Sequence, residues 1–146
     1  MIKINKLTDY ATLMLGYLAQ MPERKLSAAD ISKALGLALP TVSKILKILQ
    51  NNHIVRSQRG TAGGYQLARE AQDISLVEIL QAMEGPVAVT ECTSHPGLCI
   101  QEHTCLMKTP WQQINHMILR RLKTISLLDM TRPQSIQWAA FNKETT

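Results

Sequence analysis

Cys92, Cys99 and Cys105 are the only cysteines of this 146-residue chain, and they fall in one short polar stretch. An odd number cannot close a disulfide framework. Thiols clustered this way point to metal or redox chemistry. Thiolates are soft ligands that suit iron–sulfur clusters and zinc. Structural zinc sites usually show Cys-x2-4-Cys pairs, whereas the spacing here is Cys-x6-Cys-x5-Cys. The spacing argues for a metal or cluster, with zinc a live competitor. Ordinary buried cysteines are the bland alternative, but those fall on apolar helix faces. Pro96 and Gly97 allow the loop to curl around a compact centre. A thiol enzyme built on Cys105 and His103 lacks any nameable oxyanion donor, orienting acid or pocket, so no enzyme is expected.

A second chemistry lies in the charge. No acidic residue occurs between Asp30 and Glu70, while Lys33, Lys44, Lys47, Arg56, Arg59 and Arg69 do; the whole chain carries +5. A localised basic surface is the electrostatic footprint of a nucleic-acid binder, because phosphate contacts supply most non-specific affinity. Thr41, Ser43, Lys44 and Lys47 suit base edges and phosphates. Arg59 beside Gly60 can reach into a groove. The plainer roles are capping for Thr41 and Ser43, and a solvated face for the lysines.

These residues need elements to position them. A first helix is predicted from about Thr8, acting as cap, to Gln20, with Tyr10, Leu13, Met14, Tyr17, Leu18 and Met21 on its apolar face. Ser27 and Asp30 resemble a capping box opening a second helix, which Gly36 ends. Pro40 opens a third, buried through Val42, Ile45, Leu46 and Leu49 and ended by Asn51 and Asn52. Two strands, 54–58 and 65–68, flank a glycine-rich hairpin from Arg59 to Gly64. The Gly-Lys-Ser/Thr ending of an NTPase phosphate loop is missing there. Ser75 starts a fourth helix, stopped by Gly85-Pro86. Residues 87–104 are expected to be irregular. A long helix follows from Trp111 or slightly earlier to Lys123, with Trp111, Ile114, Ile118, Leu122 and Ile125 as one seam. Ser126 starts a short last helix.

Helix, helix, turn, helix and basic hairpin, in that order, make a winged helix-turn-helix. The expected class is mainly α with a two-stranded wing. The expected organisation is a DNA-binding domain over 1–84, a cysteine-bearing loop over 85–106, a long helix over 107–130 and a flexible tail over 131–146. No apolar run reaches the length needed to cross a bilayer. The N-terminal stretch reads as a folded helix and not a leader, so the expected location is the cytoplasm.

Leu7-Thr8-Asp9-Tyr10-Ala11, Ala29-Asp30-Ile31-Ser32, Arg59-Gly60-Thr61-Ala62-Gly63-Gly64-Tyr65, the spaced cysteines and Trp111 together resemble the Rrf2 (Rrf-two) family of bacterial transcription regulators over residues 1 to about 130. The resemblance implies a homodimer crossing through the long helix, binding a palindromic operator in double-stranded DNA. It implies that Cys92, Cys99 and Cys105 hold an iron–sulfur cluster, 2Fe–2S in preference to 4Fe–4S, whose state governs DNA affinity. The implied output is repression of iron–sulfur assembly genes, closest to regulators of the SUF-type operon, with nitric-oxide defence as the alternative. One position departs from the family. IscR-type members carry a histidine three residues past the last cysteine, and here it is Lys108, a poor ligand while protonated. In NsrR-type members a carboxylate from the partner subunit completes the cluster, and it matches Asp9. Asp9 is therefore favoured as fourth ligand over His95 and His103, although the helix dipole alone also favours an acid in a first turn.

Overall fold

The computed structural model describes residues 3–132; the tail from 133 onward, expected to be loose, lies outside the described residues. Helix α1 spans Lys6–Ala19. Its cap is Asn5 and not Thr8: the Asn5 side chain accepts from the Thr8 backbone N–H at 2.9 Å and from the Thr8 hydroxyl at 3.1 Å. The inner face is also turned from the expected one. Thr8, Ala11, Met14, Leu15 and Leu18 are buried, while Leu13 is half exposed. The segment is apolar on nearly every side, so periodicity alone left its orientation open, and packing chose the face that repeats at three and four residues.

Helix α2, Ala28–Leu35, opens on the capping box of Ser27 and Asp30. Gly36 ends it in the left-handed region, φ 65°. The Ser32 hydroxyl then donates to the Leu37 carbonyl at 2.6 Å, fixing the turn into α3, Leu39–Asn51. Val42, Ile45, Leu46 and Leu49 of α3 are buried as expected. Strands β1, Val55–Gln58, and β2, Gly64–Leu67, pair antiparallel with Arg56 opposite Gln66 and Gln58 opposite Gly64. Leu26 bridges to Tyr65 and extends this sheet by one bond pair.

A short 3-10 turn, Ala71–Asp73, leads to α4, Leu76–Glu84, whose cap is the box of Ser75 and Glu78. Burial raises the Glu78 pKa, but hydrogen bonds from the Ser75 backbone and hydroxyl and from Arg69 outweigh it, so the carboxyl stays ionised below its usual range. A one-turn helix, α5, Glu91–Ser94, follows, and helix α6, Lys108–Thr124, starts three residues ahead of Trp111. Helix α7, Leu127–Thr131, begins on a second Ser-Asp box, Ser126 with Asp129. One apolar core joins α1, α2, α3, α4, the wing base and Leu127 of α7. Each large side chain in it contributes roughly 1.5–3 kcal/mol through removal from water. No helix among the described residues is long and apolar enough to cross a membrane.

Candidate DNA interface and cysteine loop

Helix α3 buries one stripe against the core and turns Ser43, Lys44 and Lys47 to solvent, with Thr41 half-buried at its start. Ala38 occupies the cap position and supplies no side-chain bond, so neither Thr41 nor Ser43 is used as the cap. No acid lies in the first turn of α3. Arg59 and Gly60 sit exposed at the tip of the β1–β2 hairpin, which closes through the Gly63 N–H to the Gly60 carbonyl at 2.9 Å. The structure therefore presents the sequence-predicted polar and basic residues on an open helix face and on an open hairpin. Lys25 and Arg56 were not singled out from sequence as contacts. They border a cleft of about 360 Å³ on the wing. The signal that finds Arg56 is strand alternation, which puts Arg56 and Gln58 on the solvent side of β1; Lys25 lies outside the strand and has no such signal.

The cysteine loop is better ordered than its composition suggests. The stretch expected to be irregular holds a one-turn helix, α5, Glu91–Ser94, capped by Thr90 with Thr93. Cys92 lies in that turn, with the Thr90 hydroxyl 3.2 Å from its sulfur. All three cysteines are free thiols and half-buried. Two contacts fix the loop. The buried Asn115 of α6 accepts from the Val89 N–H at 3.1 Å. Glu102, also buried, takes the Lys108 ammonium at 2.9 Å on one oxygen and the Gly97 N–H at 2.5 Å on the other. The Lys108 bond, then the Gly97 bond, hold the Glu102 carboxyl below its usual range. Lys108 is thus engaged in a clasp across the loop.

The thiols are not gathered into a finished site. Among the described residues no three His, Cys, Asp or Glu side chains converge closely enough to hold a metal ion. Asp9 is exposed in the first turn of α1, and His95 and His103 are exposed on the loop. The donor set itself fits a soft iron–thiolate centre: three unpaired thiols, none committed to a disulfide, on one loop that carries no apolar core face. Around them, Leu98, Ile100, Leu106 and Met107 stand exposed, and α6 continues this surface with Trp111, Ile114 and Met117.

A three-helix core with a basic wing defines a winged helix-turn-helix DNA-binding protein. The chain matches the family model described as Rrf2, iron-dependent transcriptional regulator, over residues 4–133, and it belongs to that family. It is 30% identical over 136 residues to Protein rrf2 of Nitratidesulfovibrio vulgaris, covering 92% of this chain and 91% of that protein. It is 31% identical over 125 residues to the transcriptional regulator IscR of Xenorhabdus nematophila, covering 86% and 76%. Among solved structures, T. potens IscR superposes with a TM-score of 0.68 at 27% identity, covering 91% of this chain and 88% of that one. CymR of B. subtilis shares the fold, with a TM-score of 0.68 at 24% identity over 90% of this chain and 97% of that one.

Proposed function

We propose that this regulator is a cytoplasmic homodimeric repressor that reads iron–sulfur status through Cys92, Cys99 and Cys105 and acts on iron–sulfur assembly genes, the SUF-type operon foremost. The carrying observation is the set of three free, half-buried thiols on a loop fastened to α6. The iron dependence in the family's description supports iron over zinc. When bound, an iron–sulfur cluster supplies thiolate-ligated iron that responds to oxidants and to cluster demand. The 2Fe–2S form is the one proposed.

The chain's own residues do the rest. Cys92, Cys99 and Cys105 would hold the cluster as thiolates, and Asp9 of the opposite subunit would supply the remaining ligand, with His95 and His103 as alternatives. The uncovered apolar residues Trp111, Ile114 and Met117 support a dimer seam along α6. Two recognition helices related by a two-fold axis read half-sites of a palindrome about 34 Å apart, with Thr41, Ser43, Lys44 and Lys47 in the major groove and Arg59 and Gly60 at the wing. A change in the loop alters how the two helices are set.

Anaerobic absorption and Mössbauer spectra of freshly purified protein test the reading. A brown protein with visible bands and an iron–sulfur quadrupole doublet is expected, reduced strongly by serine at any of the three cysteines. Colourless protein with stoichiometric zinc would sink it. Asp9→Ala should destabilise the visible spectrum; a full spectrum would move the fourth ligand to a histidine. Equal operator binding with and without the cluster would leave a cluster protein that is not a switch.

A further inference from the structure

The outer face of the wing carries a cleft that the reading by α3 and Arg59 leaves unused. It is lined by Lys25, Arg56, Ser57, Gln58, Gly64 and Gln66. The register sets Gln66 beside Arg56 and the side-chain-free Gly64 beside Gln58, which leaves the floor open. Lys25 enters from the segment that Leu26 bridges to Tyr65.

Hydrogen bonding in this cleft is one-sided. Lys25 Nζ donates to Gln58 Oε1. With its amide oxygen turned to the guanidinium, Gln66 accepts from Arg56 Nε at 2.8 Å. Ser57 Oγ accepts from Gln50 Nε2 at 2.9 Å. The side-chain oxygens are thus taken up by neighbours, and the groups left over are donors: ammonium, guanidinium, two amide NH2 groups and a hydroxyl. No carboxylate lines the cleft. The two ion pairs among the described residues, Arg69–Glu78 and Lys108–Glu102, involve neither cation. A concave site with two cations, no carboxylate and donors in excess favours an anion rich in acceptor oxygens, as phosphate is.

We infer that the cleft holds a backbone phosphodiester of the bound duplex, with Lys25 and Arg56 as charged contacts and Gln58 and Gln66 as neutral ones. This rests on the DNA-binding reading above. Arg56 lies three residues from Arg59, roughly 10 Å of strand. The minor groove is only about 6 Å wide. With Arg59 in that groove, the cleft falls on the sugar–phosphate wall beside it.

The test measures affinity of Lys25→Gln, Arg56→Gln and Arg59→Ala for two duplexes, one selected for tight binding from a random pool and one of arbitrary sequence. Each cleft variant should lose on the order of 10-fold at about 50 mM salt, equally on both duplexes. That deficit should shrink about 3.5-fold by about 200 mM, as the salt slope falls by about 0.9 per lost phosphate. Arg56→Lys should keep the slope. Unchanged affinity and slope in both glutamine variants, with thermal unfolding intact, overturns the inference. A loss confined to the selected duplex overturns it too, since that is base reading. Inorganic phosphate, followed by amide shifts of β1 and β2, is the small-anion arm. If phosphate binding depends on Lys25 and Arg56 while duplex affinity does not, the site belongs to a free anion and the inference is again overturned. Failure of the wild-type protein to bind any duplex would instead remove the DNA-binding reading beneath it.

Discussion

Gly64 is where the wing is fastened to the body of the protein, and its replacement gives a quantitative test. Its φ is +150°, a region that side chains disfavour, and an added Cβ would lie 2.9 Å from the Leu26 carbonyl carbon and oxygen and 3.0 Å from its nitrogen. All three atoms are backbone and cannot swing aside. Relief requires Leu26 and β2 to separate, which breaks the Leu26 N–H to Tyr65 carbonyl bond at 3.0 Å and the Tyr65 N–H to Leu26 carbonyl bond at 2.8 Å. Two such bonds contribute about 1 kcal/mol each. The backbone strain adds roughly 1–3 kcal/mol. Gly64→Ala should therefore destabilise the fold by about 3–5 kcal/mol, a large share of the 5–15 kcal/mol typical of a domain. Gly36→Ala is the control: it shares a positive φ, +65°, but has open space around it, so it should lose only about 1–2 kcal/mol. Urea unfolding of both variants, with duplex binding in parallel, makes the comparison. If Gly64→Ala loses no more than Gly36→Ala, the backbone approach is not what demands glycine there.

Four further outcomes are expected. Asn115→Leu keeps the volume but leaves the Val89 N–H without its acceptor, so it should lose about 1–3 kcal/mol and speed hydrogen exchange over residues 89–94; stability equal to wild type would contradict the role given to Asn115. Glu102 has a depressed pKa, so the clasp is present above the ordinary glutamate range and is lost as pH falls through the lowered value. The protection factor of the Gly97 amide, taken relative to its intrinsic exchange rate at each pH, should fall at that acidic step in the wild type, and Glu102→Gln should erase the step; a step that persists in Glu102→Gln would assign it elsewhere. Arg59→Ala should weaken operator binding by about 1–3 kcal/mol, read by titration of a labelled duplex; no loss would shift recognition to α3. Ile114→Asp places an unpaired charge at the proposed seam, where breaking such burial is worth about 3–5 kcal/mol, and sedimentation equilibrium should show monomer; an intact dimer would place the seam elsewhere.

The sequence made some features legible because their signals are local. The box of Ser27 with Asp30, the Ser75 start, the Gly36 stop and the α3 stripe all sit within a few residues of what they specify. Thr8 misled because a hydroxyl beside an apolar run is a common cap, yet Asn5 caps the helix three residues earlier through the Thr8 N–H, which leaves Thr8 inside the helix and buried. Leu13 misled because α1 is apolar nearly all round. The clasp was out of reach altogether: Glu102 meets Gly97 and Lys108 only once the loop folds back, and Lys108 drew notice solely as a missing ligand. Asn115 was hidden for a related reason, since a lone polar residue in an amphipathic helix reads as solvent-facing until the Val89 N–H is placed against it.

Those two hidden contacts bear on how a signal at the cysteines could reach DNA. The Val89 and Glu102 contacts fasten the loop near the start and middle of α6. At the other end, the Leu76 N–H meets the Ile125 carbonyl at 2.8 Å and the Leu127 N–H meets the Ile74 carbonyl at 2.7 Å. These main-chain bonds join the end of α6 to the start of α4, and α4 packs on both α1 and α3. A displacement of α6 therefore meets side-chain bonds at the loop, main-chain bonds at α4 and packed side chains at α1 and α3. Packed elements of this kind move as units rather than deform. These contacts connect the cysteine loop to α3, and on the proposed cluster-sensing function weakening Asn115 should uncouple DNA affinity from cluster state before it abolishes either.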